Sequence, residues 1–308
     1  MSTTIRIARA APATTIQDAG RFGMLQHGIS ASGPMDRGAF LRCGAVLPRT
    51  GREAIEFTAA GLAFSVESGA VVAAFAGGAF ALAVNGEPRD WPAQATLRAG
   101  DEVLITPGPA GNYGYVRFDH TIDVPLVLGS RATNLVAGLG GFANRALQAG
   151  DRLTLVPPEA SAAGEDGGTG VVDEGPIRFI WGLHADLFSP LVRSSFVESP
   201  FRVSPRLDRM GIRLADSAGV FAGSAALSLV SDAVVAGDLQ ILGDGTPIIL
   251  MRDHQPTGGY PRIATVISAD LDRLAQMRPG SELVFSPVTL HKARELYLEQ
   301  GRPKLPGP

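Results

Sequence analysis

The sequence predicts a mainly β protein of barrel or sandwich architecture in two domains, decorated by a few short helices. Three observations predict it: short apolar runs bounded by Gly, Pro, Asp or Asn recur throughout, 38 glycines and 22 prolines are spread along the chain, and one turn-plus-strand pattern appears three times. The length of 308 residues, set against roughly 150 residues per domain, divides into units expected at 1–165 and 166–308.

Strands are expected, in chain order, at TTIRIAR, LAFSVE, AVVAAFAG, DEVLITP, YGYVRF, DRLTLVP, IRFIWG, PIILM and ELVFSP. Helices are expected over 35–46 behind Ser32 as N-cap, over 130–137, and over 269–277, where Ser268 caps and Asp270 and Asp272 suit the first turn. The recurring pattern is LRAGDEVLITP at 97–107, LQAGDRLTLVP at 147–157 and MRPGSELVFSP at 277–287. A Gly-Asp or Gly-Ser pair followed by alternating apolar residues is a tight turn feeding a barrel-edge strand, and the second and third copies are expected to close two successive barrels. Residues 157–176 are small, acidic and aperiodic, which reads as an interdomain linker.

A net charge of -3 and a pI near 6.0 give no general attraction to nucleic acid or to an anionic membrane. The longest apolar run, 70–84, covers 15 residues and contains Gly77 and Gly78, short of the roughly 20 that a spanning helix needs. The opening MSTTIRIARAAPATT lacks the apolar core of a secretory signal, and the single cysteine, Cys43, fits a reducing cytoplasm. No metal-ligand spacing, Walker loop or GxSxG elbow is present, so a nucleotide would be held by arginines and backbone amides. Lysine occurs only at Lys292 and Lys304, neither in a hairpin setting suited to biotin attachment, so any biotin would come from another chain.

Two polar segments exceed what packing requires. Residues 14–36 gather Gln17, Asp18, Arg21, Gln26, His27, Ser30, Ser32 and Asp36 among glycines, either as a ligand-lining loop or as a solvated Ω-type loop. In 252–270 an apolar strand empties into Asp253, His254, Gln255 and Thr257, with Gly258 and Gly259 suited to an amide nest beside Tyr260. His254 titrates in the right range for proton transfer, although neighbours on a strand face opposite sides and a lone histidine is as often structural. At 204–214, Arg206, Arg209 and Arg213 flank Asp208, as an anion site or as a surface ion-pair cluster. DAGRFGMLQHG at 18–28 weakly echoes LDRMGIRLAD at 207–216.

These stretches resemble the biotin-dependent carboxyltransferase family, also described as allophanate hydrolase subunit 2 or as the C component of 5-oxoprolinase. The resemblance is carried by TTIQDAGRFG with SGPMD, by IDVPLVLGSRATNLVAGLGGFANRALQAGD at 122–151, by VSPRLDRMGIRL, and by TGGYPRIATVISADLDRLAQMRPG at 257–280. They follow the family order over nearly the whole chain. The resemblance implies cyclophilin-like β-barrels, an allophanate hydrolase subunit 1-like partner and, in some relatives, a LamB/YcsF-like subunit. It implies one subunit of an ATP-dependent, 5-oxoprolinase-type amidase acting on a small-molecule amide, inactive alone, with ATP used at the level of the complex. Two alternatives stand beside it: a carboxyltransferase half served by biotin on another chain, and a non-catalytic module that antagonises a kinase inhibitor.

On this reading Asp253, His254, His27 and Asp18 are the catalytic candidates. Gln17, Arg21, Ser32, Asp36, Arg131, Arg209, Gln255, Thr257, Gly258, Gly259 and Tyr260 are expected to bind substrate or nucleotide, the two loops meeting in one cleft. The chain departs from the family pattern at Asp119 and His120, at Trp181 to His184, at Gln240 to Leu242, and at Pro256, which removes a backbone donor from the second loop.

Overall fold

The computed structural model describes residues 2–49, 51–158, 175–224 and 229–300. The chain divides into two compact units, one made of residues 1–21 and 32–170, the other of 22–31 and 171–308. The centre of the expected linker and the expected boundary at 165 lie outside the described residues. Strand predominates over helix, at 41% against 15%, as the turn-rich apolar runs imply.

The first unit holds β1 (Thr3–Ala10), β2 (Thr15–Gln17), α1 (Arg37–Ala45), β3 (Ala54–Thr58), β4 (Leu62–Ser68) and β5 (Ala70–Val84). It continues through β6 (Glu87–Arg89), β7 (Ala93–Arg98), β8 (Glu102–Phe118), β9 (Thr121–Ile122) and β10 (Arg152–Val156). Its sheet runs β2-β3-β8-β4-β1-β10-β9, with β5 joining β8 to β6 and β7. The inward positions Ile5, Ile7, Phe57, Phe64, Phe75, Phe118 and Leu155 make a dry core inside this half-barrel.

DEVLITP and YGYVRF, expected as two strands, are the two ends of the 17-residue β8. The intervening PGPAGN does not turn, because β5 runs beside both halves and keeps their backbone groups paired. The strain of that length is taken up by register shifts around Ala79 in β5. The apolar run 70–84 is thus a sheet strand, and no helix among the described residues is long and apolar enough to cross a membrane.

Helix α1 starts two residues later than expected. Its N-cap is Asp36, whose carboxylate accepts from Ala39 N, whereas Ser32 lies upstream with φ +56°. Residues 130–137 are not helical. Thr133 N and Oγ1 both donate to Ile16 O, and Asn134 pairs with Leu139, so the segment's amides are spent on a distant strand and a local turn.

The second unit holds β11 (Ile177–Trp181), α2 (Pro190–Glu198), β12 (Phe201–Leu207), β13 (Gly211–Ala215), β14 (Asp232–Ala233) and β15 (Asp238–Ile241). Then come β16 (Pro247–Leu250), β17 (Thr257–Gly258), β18 (Arg262–Val266), α3 (Leu271–Gln276), β19 (Glu282–Leu283), β20 (Phe285–Pro287) and α4 (Leu290–Glu299). The main sheet runs β19-β12-β13-β16-β15-β18-β11-β20. Its two ends, β19 and β20, are separated in the chain by Val284 alone, so the sheet must curl back on itself into a nearly closed barrel. Phe179, Phe196, Phe201, Phe221 and Phe285 fill its interior, with the Phe196 and Phe285 rings stacked 4.8 Å apart.

Helix α3 begins after Asp270 rather than behind Ser268, and the Asp270 carboxylate is not a cap. It binds the backbone N–H and the guanidinium of Arg178 instead, because a charged, bidentate partner outcompetes the helix's own amides.

The three copies of the repeated pattern build one and the same turn. In each, the fourth residue donates to the first: Asp101 to Arg98 O, Asp151 to Gln148 O, and Ser281 to Arg278 O. Each glycine takes a left-handed conformation, with φ of 95° at Gly100, 96° at Gly150 and 87° at Gly280. Each turn then exchanges two backbone hydrogen bonds with one strand residue, Val66, Ile7 or Val203. The pattern therefore encodes a docked turn. It feeds β8, β10 and β19; only the third copy stands at the closure of a barrel, since β10 pairs with β1 and β9 inside an open half-barrel.

Candidate functional site

Residues 14–21, in the first unit, carry a buried polar network. Gln17 Nε2 donates to Thr15 Oγ1 and Thr133 O, and its Oε1 accepts from Gly33 N. Asp18 accepts from Gly20 N, from Ser130 Oγ at 2.6 Å and from Arg131 N at 2.6 Å. Arg21, 1% exposed, donates to the carbonyls of Val127, Ser130 and Ala132. Asp18 and Arg21 thus clamp the 127–132 backbone, which is the work of a positioning pair.

Further along the same unit, Arg131 donates to Val124 O and pairs with Glu53 at 2.9 Å. Burial pushes the Glu53 carboxyl above the ordinary carboxylate range, and the Arg131 charge pulls it back. Asp36 caps α1, and its N–H donates to the Tyr115 hydroxyl, which donates in turn to Glu56. Ser32 is buried with φ +56°. Asp119 and His120 form a 2.7 Å pair whose carboxylate also accepts from Val72 N. The Cys43 thiol is pushed up to about 12 by burial, which removes it as a nucleophile.

In the second unit the segment 251–260 is built on a buried ion pair. Arg209 Nε and Nη2 donate to the two oxygens of Asp253 at 2.8 and 3.0 Å, with Arg209 3% and Asp253 1% exposed. Asp253 N also donates to Arg209 O. Asp253, expected among the catalytic residues, is therefore locked in a bidentate pair, and no hydrogen bond joins it to the His254 ring. The cluster expected around Asp208 dissolves for the same reason: Asp208 accepts from Met210 N and Gly211 N, while Arg209 turns inward to Asp253. The echo of 18–28 in 207–216 has this meaning, since each segment turns on an Asp accepting an N–H two residues ahead and buries one arginine.

His254 follows directly. Its Nδ1 lies 2.6 Å from Gln255 O, and a carbonyl can only accept, so Nδ1 carries the proton and Nε2 bears the lone pair. Burial pushes the imidazole below its ordinary range, so the ring is neutral at neutral pH. Among the described residues nothing bonds Nε2. Beside it, Gln255 Nε2 donates to Gln240 Oε1, and Gln240 Nε2 donates to Tyr260 O.

Gly258 and Gly259 do not form an amide nest, for neither has a positive φ. Thr257 and Gly258 pair with Ala233 and Asp232 as β17 on β14. Gly258 lets the Gln240 amide approach its backbone closely, since a Cβ there would push that amide aside. Tyr260 is 40% exposed, and Pro256 still contributes its carbonyl, to Val234 N.

Sequence reasoning missed Glu53, just ahead of β3, and Glu56, Tyr115 and Arg262, each a single letter inside a strand, and met Gln240 only as a departure from the family pattern. Arg262 binds Asp232, Asp238 and Ala233 O, and its N–H donates to His184 Nδ1 at 3.2 Å. Their only sequence signal is polarity at positions where alternation calls for an inward apolar residue. His27 is exposed and stands 3.3 Å from Gln26 Nε2, in the stretch 22–31 that belongs to the second unit.

Arg21, Arg131 and Arg209, nominated for phosphate, are all engaged with carbonyls or carboxylates, so they do not fit a nucleotide. Lys292 lies in helix α4 and pairs with Glu295, which is no biotin attachment hairpin.

The carboxyltransferase domain, subdomain A and B, family matches residues 27–287. The chain belongs to this family. It is 33% identical to the C subunit of 5-oxoprolinase from Escherichia coli over 97% of this chain and 96% of that one, and 33% identical to its Haemophilus influenzae namesake over 94% of each. The structure of the Kluyveromyces lactis urea carboxylase superposes with a TM-score of 0.86 at 25% identity, over 97% of this chain but 28% of that one. TTHA0988 superposes with a TM-score of 0.74, over 92% of this chain and 55% of its own.

Proposed function

We propose that this chain is one subunit of an ATP-dependent 5-oxoprolinase-type amidase, acting on a lactam or linear amide with an allophanate hydrolase subunit 1-like partner and a LamB/YcsF-like subunit. The observation that carries the substrate class is the near end-to-end correspondence with two relatives that are each named as the C subunit of 5-oxoprolinase.

The geometry supports His254 as the proton-transfer group. A neutral imidazole with Nδ1 satisfied and Nε2 bearing a lone pair can take a proton from an attacking water. The Arg209–Asp253 pair fixes the backbone on which it stands. Gln255, half-buried and held by Gln240, offers its amide oxygen to a substrate amide, and His27, in the same unit, is the second proton-transfer candidate. Since Arg21, Arg131 and Arg209 do not fit phosphate, ATP is assigned to another chain of the complex, and no ATP-dependent step is assigned here. Glutamate release from 5-oxoproline by the chain alone and with both partners tests the reading; turnover by the chain alone rejects it.

The family match and the superposition on urea carboxylase favour a second reading, a carboxyltransferase half served by biotin on another protein. It requires a biotinylated carrier and bicarbonate. A streptavidin blot of the purified complex separates the two, since the amidase reading expects no biotinylated band.

A further inference from the structure

We propose that Gln255 is the specificity-determining residue of the second-unit site: its amide oxygen takes an N–H of the ligand, and Gln240 is the positioning residue that turns that oxygen outward. The inference rests on the amidase reading above and narrows its substrate class to an amide that bears an N–H, as against an ester or a lactone.

The order of donors and acceptors fixes the orientation of both side-chain amides. The carbonyl of Tyr260 can only accept, so the end of Gln240 that lies 3.4 Å from it is the Nε2 donor. That leaves Gln240 Oε1 facing Gln255 at 3.3 Å, and an oxygen there is met only by a donor, so Gln255 turns its Nε2 inward. Gln240 is 1% exposed, which denies its amide any exchange with solvent, and the missing Cβ at Gly258 makes room for its Nε2. The remaining atom, Gln255 Oε1, is bonded by no described residue, is not sealed from solvent, and stands on a half-buried side chain. The end that Gln255 offers a ligand is thus an acceptor.

The adjoining residue carries the same bias. His254 gives its Nδ1 proton to Gln255 O, so its Nε2 accepts as well. Arg209 is tied to Asp253, and Arg262, the cross-strand partner of Gln240, is tied to Asp232 and Asp238, so neither guanidinium is left to satisfy these acceptors. Two neutral acceptors at consecutive positions match a ligand that donates: the amide N–H to Gln255, and the attacking water to His254. A lactone ring oxygen in place of the N–H sets lone pairs against Gln255 Oε1 and leaves that acceptor without a partner.

The test compares 5-oxoproline with its lactone counterpart, in which a ring oxygen replaces the N–H, on the reconstituted complex, with ring opening measured above the uncatalysed rate. On the unsubstituted complex the lactone is expected to compete at least about tenfold more weakly than 5-oxoproline binds, the order that an unpaired, half-buried acceptor implies. Equal competition overturns the proposal. Gln255→Met and Gln240→Met, each close to the original volume, are expected to shrink the lactam-to-lactone ratio of kcat/KM by about tenfold or more. The greater intrinsic reactivity of the lactone cancels when that ratio is compared between chains. An unchanged ratio in Gln255→Met overturns the specificity role, and an unchanged ratio in Gln240→Met overturns the positioning role. Should either variant fail to fold, the competition measured on the unsubstituted complex decides. An unsubstituted complex that does not open 5-oxoproline sinks the amidase reading itself.

Discussion

At the scale of single residues the molecule's chemistry turns on the contrast between Asp253 and His254. Asp253 is spent on Arg209, and removing it leaves a guanidinium buried without its counter-charge. Asp253→Ala is therefore expected to cost about 3–5 kcal/mol in denaturant unfolding, whereas Arg209→Met with Asp253→Leu recovers most of that loss. His254 is held neutral by burial, so its folded-state pKa lies below the unfolded value of about 6.5. The folded state then binds fewer protons in acid. The stability His254 contributes is complete above about pH 6.5 and is lost as pH falls toward the folded pKa, by at most about 1.4 kcal/mol per pH unit. His254→Gln, which cannot take that proton, is expected to flatten the decline between pH 7 and 5; an equally steep decline contradicts the assignment. The candidate histidine was legible because it ends an apolar run. Its neighbour's true partner was not, because Arg209 lies 44 residues away and adjacency in the chain suggested a different pair.

At the scale of elements, the repeated turn makes a prediction with three independent readings. Gly100, Gly150 and Gly280 share a positive φ, and open space surrounds each. Replacement by alanine thus incurs only the backbone term, about 1–2 kcal/mol, and the same at all three sites. Unequal unfolding free energies would show that the turns differ in packing. The pattern could be read because a docked turn is encoded by local conformation. Helix boundaries were less legible: Ser32 and Asp36 are both good caps on paper, and only the Ala39 amide distinguishes them. The 130–137 segment was misjudged as a helix because its amides are claimed by Ile16, 117 residues away from Thr133, which no local propensity reports. The merged β8 has the same cause, since β5 alongside it overrides the glycines and prolines of PGPAGN.

At the scale of the whole molecule, the mainly β architecture followed from turn density and short apolar runs, and family membership from motifs spread along the chain. The commitments of the buried arginines did not, since a guanidinium reads alike in sequence whether it meets phosphate or a carbonyl. Those commitments are why no nucleotide is assigned to Arg21, Arg131 or Arg209. The most direct measurement is glutamate release from 5-oxoproline by the reconstituted complex, with unsubstituted chain and with His254→Ala, the complex verified intact in both. The account predicts no turnover by the chain alone, turnover by the complex, and a drop of about 10²–10⁴-fold on His254→Ala. A His254→Ala complex as active as the unsubstituted one would contradict it.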